Sequence, residues 1–206
     1  MKWLPLESDP DLLNTYTSDI NNGFNGQFCD VYGFDDDLLA MVPQPVMALL
    51  FLFPVGCRKN QDQSKYTGKC WFSKQTISNA CGTVAILHAL ANTGMASGNV
   101  LKYIQDTATS TPLERAKLLE TAAFIEKAHK NTAQLGRTEI NEDTDLHFVS
   151  IIPIDNHIVE FDGRFDAPID HGTFTNFLKD GTKVIQKIIE NSNAKQFNIM
   201  ALVSTK

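Results

Sequence analysis

The run Val46-Met-Ala-Leu-Leu-Phe-Leu-Phe-Pro-Val55 constrains the fold more than any other segment. It is apolar throughout. It is nevertheless too short to cross a bilayer, which takes about 20 apolar residues, and Pro54 interrupts it. A short continuous apolar run of this kind reads as a fully buried strand, here Val46–Phe53. Such a strand needs a sizeable core around it. The composition supplies one, with 206 residues, 43% hydrophobic and 20% charged. Those proportions exclude a disordered tail, a collagen-like chain and a coiled coil. The length fits one domain over residues 1–206.

Lys and Arg total 18 against 24 Asp and Glu, a net charge of −6. This balance argues against nucleic acid and against an anionic membrane surface, and fits a basic protein or peptide partner better. The start, Met1-Lys2-Trp3-Leu4-Pro5, lacks the apolar stretch of a signal peptide. Cys29, Cys57, Cys70 and Cys81 form no Cys-x-x-Cys pair, so free thiols in the reducing cytoplasm or nucleus are expected. No His-x-x-x-His pair, calcium loop or glycine-rich phosphate loop is present, so neither metal nor cofactor is expected. The absence of a heptad pattern makes a monomer the expectation.

Asp9 is placed to cap a helix over Asp9–Ile20, with Pro10 at its first position and Asn21-Asn22-Gly23 ending it. Gln27–Phe34 reads as a strand, and Asp35-Asp36-Asp37 opens a short helix. Gly56–Lys69 reads as a surface loop, with Trp71 and Phe72 returning to the core. Helices are expected over Asn79–Asn92, Val100–Thr107 and Pro112–Lys130, the last with Thr111 and Glu114 in capping-box positions. Asn131–Asp145 has no apolar periodicity, and a loop of that length is often functional. Leu146–Ile152 and His157–Phe161 read as strands about an Asp155-Asn156 turn. Gly163–Gly172 then reads as a loop, Thr175–Asn191 as a helix and Phe197–Val203 as a last strand. The elements make an α+β, or mixed α/β, domain. Their order is too irregular for a doubly wound parallel sheet.

Cys81 stands at the expected start of a helix, where backbone N–H groups lack intrahelical acceptors and the dipole favours a thiolate. Those groups can also receive an oxyanion. Ser78 or Asn79 is positioned to cap that helix. A buried structural thiol remains the alternative for any lone cysteine. A nucleophile needs a base. His88 lies two turns further along the same helix face, roughly 10 Å away, and reads as a core residue. His129 sits near a helix C-terminus, while His157 and His171 read as exposed. His147 opens an apolar strand. With Asp155 and Asn156 at the turn's centre, Asp162 falls opposite Val149, a diagonal step from His147 and on the same face. A one-residue slip would separate them. Gln75, upstream of Cys81, carries an amide able to donate to an oxyanion.

The run Gln75-Thr-Ile-Ser-Asn79-Ala-Cys81-Gly82-Thr-Val-Ala-Ile86-Leu87-His88-Ala89-Leu90-Ala91 resembles the active-site signature of ubiquitin C-terminal hydrolases. Trp3-Leu-Pro-Leu-Glu7, Phe28-Cys-Asp30-Val-Tyr-Gly33, Met41-Val-Pro, Asp145-Leu-His147-Phe and Glu160-Phe-Asp162-Gly-Arg164 agree as well. The likeness is greatest to the small L3-type members. It implies a papain-like cysteine protease fold, with a central antiparallel sheet flanked by helices and a knotted backbone. It implies Cys81 as nucleophile, His147 as base and acid, Asp162 as orienter, and Gln75 as oxyanion donor beside the Cys81 N–H. Ubiquitin, or a ubiquitin-like modifier, would be the partner, with Glu7, Asp30 and Asn79 as substrate contacts. Residues 131–145 correspond to the family's crossover loop, which arches over the site and admits only small or flexible leaving groups.

The segments Gly56–Lys69, after Asn92 and around Gly163–Thr173 look short for the family. No C-terminal extension of the kind that recruits larger complexes is expected. A binding or stabilising module for ubiquitin, with low turnover, is the alternative function. An open-cleft endopeptidase fits the loop at 131–145 poorly.

Overall fold

The computed structural model describes residues 1–57, 64–137, 141, 143–192 and 195–206. Its centre is an antiparallel sheet of six strands: β1 (Gly26–Asp30), β2 (Val46–Pro54), β3 (Leu146–Ile154), β4 (His157–Phe161), β5 (Ile169–Thr173) and β6 (Asn198–Ser204). Their order across the sheet is β1-β6-β2-β3-β4-β5. The apolar run is therefore an inner strand, paired with β3 on one side and β6 on the other. Its side chains alternate between two core clusters. Ala48 and Leu50 face one, while Leu49, Phe51 and Phe53 face the other. Continuous apolarity follows, because helices cover both faces.

The first layer holds α1 (Pro10–Ile20), α3 (Cys81–Thr93), α4 (Gly98–Asp106), α5 (Pro112–Leu119) and α6 (Ala123–Ala133). The helix α3 is buried from Gly82 to Leu90 and contributes Val84, Ile86, Leu87 and Leu90 to the core beneath β2 and β3. The second layer is built on α7 (Phe177–Ser192), which places Phe177 and Ile185 against Leu49, Phe51 and Ile151. Short α2 (Asp36–Ala40) adds Leu39 to that cluster.

Many expected boundaries hold for their expected reasons. Asp9 caps α1 by accepting from the N–H groups of Asp11 and Leu12. Asp35 caps α2, and Thr111 with Glu114 closes both halves of a capping box on α5. Asp155 and Asn156 have φ of 49° and 64°, the double left-handed turn that suits a two-residue hairpin.

Other expectations are corrected. The stretch expected as one helix over Pro112–Lys130 breaks between Leu119 and Ala123. Leu119 and Ile125 are both buried in one cluster. On a straight helix, residues six apart would point about 120° apart, so the break lets both reach the core. Glu120, in the break, accepts from Thr76 Oγ1 at 2.6 Å. The first strand ends at Asp30 rather than Phe34. Part of the expected Gly163–Gly172 loop is β5, an edge strand whose polar residues hide its period. His157 and His171 are not free surface groups. His157 Nδ1 pairs with Asp170 at 2.9 Å, and His171 Nε2 pairs with the buried Glu160 at 2.9 Å. Within Gly56–Lys69, residues 58–63 lie outside the described residues.

Phe51→Ala should destabilise the fold by about 3–5 kcal/mol, since it empties a fully buried position stacked on Phe53. Thr111→Ala should cost only about 1 kcal/mol. Urea denaturation of both variants measures this contrast, and equal losses would contradict this account of the core.

Candidate active site

Cys81 is the first residue of α3 and is half-buried at the seam between the helix and the sheet. Neither Ser78 nor Asn79 caps the helix, contrary to expectation. The N-cap position is Ala80, and no side-chain cap bond forms. Asn79 takes a left-handed conformation, φ 63°, and its amide donates to the Trp3 carbonyl at 3.0 Å. The Trp3 N–H in turn donates to Ser78 O at 3.0 Å. The N-terminal segment therefore straps down the turn in front of Cys81.

A buried relay secures the same strap. The Leu4 carbonyl can only accept, so His129 Nε2 donates to it at 2.6 Å. Burial lowers the His129 pKa to about 4, leaving the ring neutral. Its Nδ1 then accepts from Thr83 Oγ1 at 2.8 Å, and Thr83 accepts from Tyr16 at 2.7 Å. Thr83 is two residues beyond Cys81. His129 is thus structural and fully engaged.

His147 sits in β3 and Asp162 just beyond β4. The register pairs Ser150 with Phe161 and Ile151 with Glu160, as the turn dictates. His147 and Asp162 therefore meet on one face, with Nε2 donating to Oδ1 at 2.8 Å. The other ring nitrogen, Nδ1, remains for the Cys81 thiol, which hydrogen-bonds the His147 side chain. The backbone amides of Phe148 and Gly82 also face the sulfur.

The electrostatics follow from this contact. Burial alone would raise the Cys81 pKa, but the His147 hydrogen bond and charge, with the two amides, bring it below the usual thiol value. Burial alone would lower His147. Asp162 and Cys81 overcome this and raise it. Asp162 is 0% exposed, yet its pKa is held down to about 2. Desolvation opposes that shift. His147, the Arg164 N–H at 2.9 Å and the Arg164 guanidinium at 3.5 Å outweigh it. All three shifts thus favour the same charged arrangement of thiolate, imidazolium and carboxylate. His88 is excluded as a base: burial lowers its pKa to about 3, and the Ser73 main chain holds its Nε2.

Gln75 lies beside Asp162, its backbone N–H donating to Gly163 O at 2.8 Å. Its side-chain Nε2 donates to Ile77 O at 3.1 Å, leaving a second hydrogen on that nitrogen. A cavity of about 490 Å³ opens over Cys81. Glu7, Asn79 and Phe148 line it, with Gly136, Asn141, Thr144 and Asp145 from the expected crossover segment. That segment begins after Ala133 rather than at Asn131, because α6 runs on. Residues 138–140 and 142 of it lie outside the described residues. Glu7 accepts from the Arg137 N–H at 2.8 Å, tying the strap to this segment. Asp30, at the end of the edge strand β1, does not line the cavity. Among the described residues no His, Cys, Asp and Glu cluster could hold a metal ion, and no helix is long and apolar enough to cross a membrane.

The family described as "Ubiquitin carboxyl-terminal hydrolase, family 1" matches residues 3–190. The chain belongs to this family. Ubiquitin carboxyl-terminal hydrolase 3 of Arabidopsis thaliana is 40% identical over 98% of this chain and 94% of its own. The human isozyme L1 is 34% identical over 98% of both chains. Among solved structures, the Trichinella spiralis UCH37 catalytic domain bound to ubiquitin vinyl methyl ester superposes with a TM-score of 0.79. It covers 99% of this chain and 96% of its own at 24% identity, a likeness of fold. The mixed α+β architecture is thus that of the ubiquitin carboxyl-terminal hydrolases.

Of the residues singled out by spacing, Cys81, His147 and Asp162 are brought together, and Gln75 lies beside the Asp162 turn. The Phe148 amide was not among them, since a backbone donor leaves no mark on sequence. Asp162→Asn should lower the His147 pKa by removing the negative charge. The thiolate of Cys81 should then form only at higher pH. The pH dependence of Cys81 alkylation by iodoacetamide, corrected with Cys81→Ala, should show its midpoint displaced upward. The Asp162 contribution to stability is present above about pH 4, the unfolded carboxylate value, and is lost as pH falls toward about 2. This acid-dependent part should disappear in the variant.

Proposed function

We propose that this hydrolase cleaves the bond at the C-terminal glycine of ubiquitin by nucleophilic catalysis at Cys81. The observation that carries the reading is the hydrogen-bonded line Cys81–His147–Asp162 beneath the cavity. The thiolate adds to the glycine carbonyl carbon. The oxyanion is received by the Cys81 N–H, which has no intrahelical acceptor at the first helical position, and by Gln75 Nε2. Collapse breaks the carbonyl–leaving-group bond, and the His147 imidazolium gives its proton to the departing amine. A thioester remains. His147, now neutral, takes a proton from water as the water oxygen adds to the thioester, and the second collapse releases the thiolate and the carboxylic acid product, which gives its proton to solvent. Each step balances with residues of this chain and water.

Glu7 and Asn79 are proposed as substrate contacts because both line the cavity. The acidic balance of the chain suits a basic substrate tail. Asp30 would act only as an outlying contact beyond the cavity. Gly136, Asn141, Thr144 and Asp145 border the cavity, which supports a preference for small or flexible leaving groups. The reading further takes the 206 residues as one catalytic domain, acting as a monomer in the cytoplasm, and leaves a ubiquitin-like modifier as a second substrate.

The test is hydrolysis of ubiquitin carrying a C-terminal fluorogenic amide. Turnover should vanish in Cys81→Ala and fall by on the order of 10³-fold or more in His147→Ala. Turnover surviving Cys81→Ala would remove the nucleophile from this reading. Tight ubiquitin binding without turnover in the unmodified protein would make the chain a binding module.

A further inference from the structure

The chemistry needs Gln75 and His147 at fixed positions around one carbonyl, yet they belong to separate segments. The turn after β4 joins them. Asp162 Oδ1 in this turn accepts from His147 Nε2 at 2.8 Å and from the Arg164 N–H at 2.9 Å. The next carbonyl, Gly163 O, accepts from the Gln75 N–H at 2.8 Å. A side chain at Gly163 would push its neighbours apart. A Cβ there would lie 3.0 Å from Gln75 Cβ and from Val84 Cγ1, and 3.1 Å from Gln75 N. Val84 is one turn along α3 from Cys81. The turn thus touches the segments that carry nucleophile, base and amide donor.

Lys74 grips the same turn from the residue before Gln75. Its Nζ donates to Phe165 O at 2.8 Å, to Asp166 Oδ1 at 2.8 Å and, more distantly, to Arg164 O at 3.4 Å. The side chain is 24% exposed, whereas that of Asp166 is 90% exposed. The exposed ion pair is therefore the weaker part, and the charge-assisted bond to the Phe165 carbonyl is the stronger. Main-chain and side-chain donors of adjacent residues, Gln75 and Lys74, hold successive carbonyls of one turn.

We propose that Lys74 is a positioning residue that fixes the Gln75 amide against the Asp162 turn, and so sets the oxyanion donor relative to His147. This rests on the reading of Gln75 as oxyanion donor. Without the ammonium, the tether of this segment to the turn loses its side-chain donors and keeps the Gln75 N–H, and the amide drifts from the oxyanion. A 1 Å misplacement costs about 10²-fold, and a looser tether costs less.

The experiment measures kcat and KM on the ubiquitin amide substrate with the full chain. Lys74→Met keeps the apolar stem and removes the donors. It should lower kcat by roughly 10-fold and leave KM within about twofold. Lys74→Arg should recover most of the rate, and Asp166→Asn should leave it unchanged. Alkylation of Cys81 by iodoacetamide forms no oxyanion, so its rate and pH dependence should not move in Lys74→Met. Gln75→Ala should lose about 10²-fold in kcat, and adding Lys74→Met to it should cost nothing further. Full kcat in Lys74→Met, a penalty that multiplies with that of Gln75→Ala, or a parallel loss of alkylation would each overturn the proposal. Full kcat in Gln75→Ala would instead overturn the oxyanion reading, and the role of Lys74 with it. Lys74→Gln, a neutral donor of shorter reach, serves the same comparison where Lys74→Met does not fold.

Discussion

The register of the β3–β4 hairpin is the constraint on which the site depends. Side chains alternate across a sheet with a period of two, so a slip of one residue would send Asp162 to the face opposite His147. The two left-handed residues of the turn, Asp155 and Asn156, fix the pairing of Ser150 with Phe161. Flanking apolar residues reinforce it. Phe148 and Ile152 belong to the core around α3, while Val149 and Ile151 belong to the core around α7. A slip would exchange these sets between two differently shaped cores. The His147–Asp162 contact is therefore held by the packing of the whole hairpin, at the end where β3 meets α3.

That placement explains how so much charge is tolerated out of water. A buried carboxylate is costly unless its oxygens are hydrogen-bonded. Asp162 Oδ1 accepts from His147 and the Arg164 N–H, and Oδ2 is offset by the Arg164 guanidinium at 3.5 Å. The charged form of His147 is then favoured by Asp162 and Cys81, and the thiolate form of Cys81 by His147 and two amides. Each member is stabilised by its neighbour's charged form, so the groups act as one unit and are removed one at a time only with large effects. Two other histidines show the contrast. His88 and His129 are as deeply buried but hydrogen-bond to backbone and hydroxyl groups, and both are driven to the neutral form.

What was legible in the sequence was whatever depends on local pattern. Asp9, Asp35 and Thr111 announced helix starts, the apolar run announced an inner strand, and the hairpin turn carried its register with it. What was not legible depends on the partner. The break between α5 and α6 has no Gly or Pro to mark it and arises because Leu119 and Ile125 must reach the same core. The strand β5 pairs its polar side chains with carboxylate and imidazole partners on β4, so it shows no apolar period. His157 and His171 looked exposed for the same reason. Of the site, the ionisable and amide side chains could be found from spacing. The backbone donors of Phe148 and the carbonyl grip of Lys74 could not, because both are set by tertiary approach.

The missing cap on α3 shows the sequence giving up stability where the chemistry has a use for it. A side-chain cap is worth about 1 kcal/mol, and Ser78 and Asn79 stand close enough in sequence to supply one. Asn79 instead adopts a left-handed conformation and turns its amide to the Trp3 carbonyl. Ala80, which has no capping group, occupies the N-cap position. The N–H groups at the start of α3 therefore meet no capping side chain, beside the Cys81 sulfur, whose pKa falls. Cys29 and Cys70, set in apolar surroundings without such donors, shift the other way. A helix this deeply buried is secured by its apolar packing from Gly82 to Leu90. It can forgo a cap, and the donors so released stand beside the Cys81 sulfur.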